Sequence, residues 1–113
     1  MTKIRVLIVD DERRSREILK GMLSDYCPEI EVLAMLSSAP EARDFLNNNT
    51  IDLLFLDIAM PKESGFDFLS SLEKRNFLVI FVTAYNHYAI NAIRANALDY
   101  ILKPVDHELL IDA

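Results

Sequence analysis

A lone cysteine, Cys27, is too few for an internal disulfide, and it precedes Pro28 in a connection with no base beside it. A disulfide framework and thiol chemistry are therefore both set aside. The two histidines, His87 and His107, share no metal-ligand spacing with each other or with Cys27, which argues against zinc. Calcium is disfavoured by the lack of an EF-hand spacing. No apolar stretch approaches the roughly 18 residues that cross a bilayer. The opening MTKIRVLIV leads straight into a strand-like run with no cleavage-site pattern, so the expectation is a soluble, cytoplasmic chain that avoids membranes. Positive charge is also scarce: 12 Lys and Arg against 18 Asp and Glu leave a net charge of −6. That balance argues against direct binding of nucleic acid or of an anionic membrane. There is no internal repeat and no low-complexity tract. With 113 residues, 51% of them apolar, the chain suits one domain with a real core, 1–113.

What is present is a recurrence. Four short apolar runs each end on a polar residue: IRVLIV on Asp10 and Asp11, LLFL on Asp57, LVIFV on Thr83 and DYIL on Lys103. Runs of this length without alternation read as strands buried on both faces, as in a parallel sheet. The coarse reading gives strands over 4–9, 30–36, 53–57, 78–82 and 97–102, with helices over 13–24, 39–47, 65–74 and 85–95. Ile18, Leu19, Met22 and Leu23 form an apolar stripe on the first helix, and Phe66, Phe68, Leu69 and Leu72 one on the third. Strict alternation of strand and helix makes an α/β fold, a doubly wound parallel sheet with helices on both faces. A closing helix that starts at Asp106 stops after about two turns. It is either naturally short or a truncated last helix in a fragment whose C-terminal output domain is absent, and the latter is the expectation.

In parallel sheets ligands bind beyond the carboxyl ends of the strands. Neighbouring strands would bring Asp10, Asp11, Asp57, Thr83 and Lys103 to one edge. Three clustered carboxylates repel one another and imply a cation. Oxygen-only ligands suit a hard divalent ion, Mg²⁺ or Mn²⁺. A carboxylate beside a metal, an ammonium and a hydroxyl is equipped to act as the nucleophile of phosphoryl transfer, and Asp57 is the candidate phosphoacceptor. Lys103 would neutralise phosphoryl oxygens and Thr83 would donate a hydrogen bond to one. The Lys103–Pro104 bond is a cis-proline candidate that would aim Lys103, or else a trans proline opening the last helix. On the first helix, Arg13, Arg16 and Lys20 share one flank, read as a solvated basic face or a kinase-docking surface, and Glu17 stands four residues after Arg13.

LIVDDE, LLFLDIAMP with a glycine four residues after the proline, FVTA and DYILKP together resemble the receiver domain of two-component response regulators. The spacings between Asp11, Asp57, Thr83 and Lys103 are 46, 26 and 20 residues, and the resemblance covers essentially the whole chain. The stretch TAYNHYAINAIRANALDYILKPVD is similar to the LytTR-type (LytR/AlgR-like) regulators, whose receiver precedes a DNA-binding domain. The resemblance implies a flavodoxin-like (βα)5 fold with strand order 2-1-3-4-5. It further implies that Asp57 accepts a phosphoryl group from a histidine kinase, that Asp10, Asp11 and the Ala59 backbone carbonyl complete the metal site, and that Tyr100 is a switch residue. Partners implied are the kinase, the chain's own output domain and a second copy joined through the fourth helix, fifth strand and fifth helix. Such a domain is a phosphoacceptor switch in transcription regulation rather than an enzyme. Two alternatives stand beside it: a haloacid-dehalogenase-like phosphatase, which would need an acid/base aspartate where Ala59 stands, and a receiver-like interaction module that is never phosphorylated.

Overall fold

Apolar runs that lack alternation are buried on both faces where strands are central, at 6–9, 53–56 and 79–83 in the computed structural model. It describes residues 3–60, 62–72, 76–84 and 99–103, with backbone alone at 100 and 102. The elements are β1 (Ile4–Val9), α1 (Arg13–Tyr26), β2 (Ile30–Leu36), α2 (Ala39–Asn48), β3 (Leu53–Leu56), α3 (Gly65–Ser71), β4 (Leu78–Thr83) and β5 (Asp99–Leu102). All strand pairs are parallel, in the order β2-β1-β3-β4-β5 expected from the resemblance. Successive side chains of one strand point to opposite faces. Leu7, Val9, Leu54, Leu56, Val79 and Phe81 therefore pack with Ala42, Phe68 and Leu69 of α2 and α3, while Val6, Ile8, Phe55, Ile80, Val82 and Ile101 pack with Leu19 and Leu23 of α1.

Local chemistry sets the helix starts. Ser38 caps α2 by accepting from the Glu41 amide, with Pro40 in the first turn, and Ser64 caps α3 by accepting from the Asp67 amide. The Glu41 carboxylate in turn accepts from the Ser37 and Ser38 hydroxyls, which hold its pKa below the usual range. Arg13 bonds Glu17 at 3.0 Å, as their spacing suggests. The Cys27 thiol is buried, and burial, with the Glu29 charge second, pushes its pKa up, so it is packing rather than chemistry.

Two expectations change. Helix α3 ends at Ser71 rather than 74: the Ser71 hydroxyl donates to the Phe68 carbonyl at 2.6 Å, the Leu72 amide reaches back only to Leu69, and Leu72 is extended. The apolar stripe of α1 is also narrower than the sequence suggests, since Leu19 and Leu23 are buried but Ile18 is 45% exposed. The helix over 85–95, positions 97 and 98, the closing helix from Asp106 with its truncation, the Lys103–Pro104 bond, both histidines and the Tyr100 side chain lie outside the described residues.

Candidate functional site at the carboxyl edge of the sheet

Register carries the polar strand ends to one place. Val9 pairs with Leu56, Leu56 with Phe81 and Thr83 with Leu102. The ladders run one residue further through the Asp57 amide to the Val9 carbonyl (3.0 Å), the Asp10 amide to the Leu36 carbonyl (3.0 Å) and the Lys103 amide to the Thr83 carbonyl (2.8 Å). Asp10, Asp57 and Lys103 are thus fixed at their backbones before their side chains meet.

The meeting is close. The Lys103 ammonium lies 2.8 Å from Asp10 Oδ2, 2.9 Å from Glu12 Oε1 and 3.3 Å from Asp57 Oδ2. The second oxygen of each buried aspartate is taken by a backbone amide two residues on: Asp10 Oδ1 accepts from Glu12 (2.9 Å) and Asp57 Oδ1 from Ala59 (3.3 Å). Asp10, Asp11, Glu12 and Asp57 each offer an oxygen, and these oxygens lie within 4.8 Å of one another. Thr83 is wholly buried at the end of β4, and the Tyr100 backbone pairs with Phe81 beside it. All five polar strand-end residues foreseen from sequence therefore stand at this edge. The Ala59 backbone closes over Asp57.

Glu12 and Arg16 were missed by sequence reasoning. Glu12 occupies the N-cap of α1 yet makes no side-chain cap, because its carboxylate is turned to Lys103. An acidic residue at a cap position normally held by Ser, Thr, Asp or Asn, directly after two site aspartates, was the available signal. Arg16 is half-buried and donates from Nη1 to the Asp10 carbonyl at 2.7 Å, so it is no member of a solvated basic face.

The loop after Asp57 is held just as firmly. A Cβ on Gly65 would lie 2.5 Å from the Asp57 carbonyl oxygen, and the Gly65 amide donates to the Ile58 carbonyl, so α3 starts pressed against the strand end. Lys62 takes a left-handed φ of 70° in that loop. Arg43 ties the loop to α2 through Glu63 and Ser71, with its guanidinium over the Phe68 ring.

Three of the four clustered acids bond one ammonium here. Burial, followed by the Asp10 charge, raises the Asp57 pKa to about 6 against the opposing pull of Lys103 and the Ala59 amide. Burial and Asp10 likewise raise Asp11. Burial alone would lower Lys103, but its bonds to Asp10 and Glu12 and the Asp57 charge hold it above the usual lysine range. An excess of enclosed negative charge with oxygen-only donors fits a hard divalent cation.

The Asp57 shift has a definite sign for stability. Asp57 binds its proton more tightly folded than unfolded, so its contribution falls as pH rises from about 4 through 6. In EDTA the wild type is expected to lose stability across that window relative to Asp57→Asn. The variant should be the more stable by about 1–3 kcal/mol at pH 7, solvent at the rim screening part of the effect. Urea denaturation of both at pH 4.5 and 7 checks this, and parallel pH dependences would refute it.

Comparison with known proteins gives the family and the fold. A family model of the response regulator receiver domain matches residues 6–113. An uncharacterized response regulatory protein of Vibrio cholerae is 44% identical over 108 residues, which are 95% of this chain and 45% of that protein. The sensory transduction protein LytT of Enterococcus faecalis is 45% identical over 108 residues, 93% of this chain and 44% of its own. The chain thus spans less than half the length of these curated relatives. Among solved structures, the response regulatory domain of protein MrkE from Klebsiella pneumoniae superposes with a TM-score of 0.88 at 27% identity, covering 96% of this chain and 90% of that one. The response regulator TrrA from Thermotoga maritima, solved in complex with Mg²⁺-BeF, has a TM-score of 0.83 at 31% identity, covering 96% and 94%. The phosphatase alternative finds no support in any of these matches. This chain, with its strand-end acid cluster beside Lys103 on a sheet ordered 2-1-3-4-5, belongs to the response regulator receiver domain family.

Proposed function

We propose that this domain is a phosphorylation-operated switch in which Asp57 accepts a phosphoryl group from the phosphohistidine of a histidine kinase. One observation carries the reading: a buried carboxylate, at the end of the central strand, is bonded to an ammonium and ringed by three further acids. In the reaction an Asp57 oxygen attacks phosphorus in line, the P–N bond to the imidazole breaks, and the leaving histidine keeps that electron pair and takes up a proton. The product is an acyl phosphate on Asp57. Lys103 is placed to turn from its carboxylate partners to the phosphoryl oxygens, and the Thr83 hydroxyl is assigned the remaining hydrogen bond. Asp10, Asp11, Asp57 and the Ala59 carbonyl would hold Mg²⁺, or Mn²⁺ in its place, which when bound supplies charge neutralisation at those oxygens.

The useful product is a conformation, so the domain is a phosphoacceptor rather than an enzyme that turns over a substrate. Tyr100 is the proposed switch residue. The relatives named for sensory transduction (LytT) and transcriptional regulation (BtsR of Escherichia coli) support a role in transcription regulation, for which a cytoplasmic location and a DNA-binding output segment after this domain are proposed. A second copy is the proposed partner for the surface around the fourth helix, β5 and the fifth helix.

Intact mass after incubation with acetyl phosphate is the test. Wild type should gain a single phosphoryl group only when Mg²⁺ is present, and Asp57→Asn none. An unmodified wild type that binds Mg²⁺ and releases no inorganic phosphate would sink the reading in favour of a silent interaction module.

A further inference from the structure

The site depends on Asp10 and Asp11 leaving β1 in a particular direction, and the structure shows what sets it. The Asp10 carbonyl belongs to the planar peptide unit that joins the two aspartates, so fixing that oxygen fixes the line along which Asp11 departs. Arg16, one turn into α1, donates to that oxygen at 2.7 Å, the shortest bond in the β1–α1 connection. Its own amide donates to the Glu12 carbonyl at 3.1 Å, so the base of the side chain is anchored to the same loop. The other bonds to Asp10 hold its amide, to Leu36, its Oδ1, from Glu12, and its Oδ2, from Lys103. The Arg16 bond is the one that acts on the Asp10–Asp11 peptide itself.

We infer that Arg16 is a positioning residue for the divalent-cation site, holding the Asp10–Asp11 peptide so that both carboxylates face Asp57. The inference rests on the metal assignment made under Proposed function and extends it to a residue that touches neither metal nor phosphoryl group. Its logic has an unusual sign. Arg16 is a cation near an anionic cluster, so a purely electrostatic role means that removing it strengthens Mg²⁺ binding. A positioning role means that removing it weakens Mg²⁺ binding, because the carboxylates lose their preset geometry.

Isothermal titration of MgCl₂ into the whole chain, without a phosphodonor and at fixed ionic strength, separates the two. Arg16→Met is expected to bind Mg²⁺ about tenfold more weakly than wild type. Arg16→Lys, which keeps a donor on a long stem, should recover most of the loss. Arg13→Met removes the same charge from an exposed side chain that, among the described residues, bonds only Glu17, and should bind like wild type. Urea midpoints in EDTA establish that each variant is folded, and Arg16→Gln replaces the methionine variant if the latter is not. Affinity of the Arg16 variant equal to or tighter than wild type overturns the inference while leaving the metal site intact. Failure of wild type itself to bind Mg²⁺ overturns the metal assignment, and the inference with it.

Discussion

Gly65→Ala is expected to destabilise the domain by about 2–3 kcal/mol and to slow phosphorylation of Asp57 at least tenfold. Alanine in a helical turn ordinarily gains up to about 1 kcal/mol over glycine, so the expected sign runs against propensity. The reason is contact: the new Cβ would sit 2.5 Å from the Asp57 carbonyl oxygen, 3.1 Å from the Leu56 side chain and 3.2 Å from the Ile58 backbone. Two of those three neighbours are backbone and cannot swing aside. Either β3 retreats, carrying the Asp57 carboxylate with its own main chain, or α3 does, pulling on the Gly65–Ile58 hydrogen bond that holds the loop after Asp57. Gly21 supplies the internal control, because nothing lies within 4 Å of a Cβ built there, midway along α1. Gly21→Ala should therefore stabilise by about 0.5–1 kcal/mol. Chemical denaturation of the two variants beside wild type tests the pair, and two changes of the same sign would remove the steric account.

The second large effect concerns Lys103. Its ammonium is the shared partner of two carboxylates that are 7% and 5% exposed. Lys103→Met keeps much of the stem but strands those charges, at an expected cost of about 3–5 kcal/mol in EDTA at pH 7. Two rescues should follow from the same cause. Saturating Mg²⁺ replaces the lost positive charge, so the metal should raise the midpoint of the variant further than that of wild type. Lowering the pH to 5 should recover part of the loss, since Asp57, already pushed up to about 6 with Lys103 present, loses one of the interactions that hold its pKa down. A deficit that is the same with and without Mg²⁺ and at both pH values would mean that packing of the stem, not its charge, is what the variant lost.

The parts of the site legible in the sequence are those fixed by backbone register. Asp10, Asp57, Thr83 and Lys103 each stand at or directly after the last residue of a buried run, and parallel pairing aligns such ends whatever the side chains do. Sheet order was available only through resemblance to receivers, because no run states which neighbour it pairs with. Glu12 and Arg16 were hidden for a different reason. Each acts through a long side chain whose partner is chosen by tertiary geometry: Glu12 reaches Lys103 across 91 residues, and Arg16 bends back to a carbonyl six positions earlier. Helical periodicity placed Arg16 on α1 and left Glu12 just before it, but said nothing of where their tips would land. The early end of α3 was concealed in Ser71, whose hydroxyl competes for a carbonyl in a way that a propensity scale averages out.

The place of β3 in the sheet has a bearing on time rather than space. It is flanked by two strands on one side and two on the other, all four of its residues are buried, and amides in such a position exchange with solvent only when a whole domain opens. Asp57 hangs from a segment expected to open only with the domain as a whole. A signal written there has no route through bending of the strand that carries it, so whatever follows must be carried by faster parts: side chains and loops beyond the strand ends, moving against a support that stays still for as long as the domain remains folded.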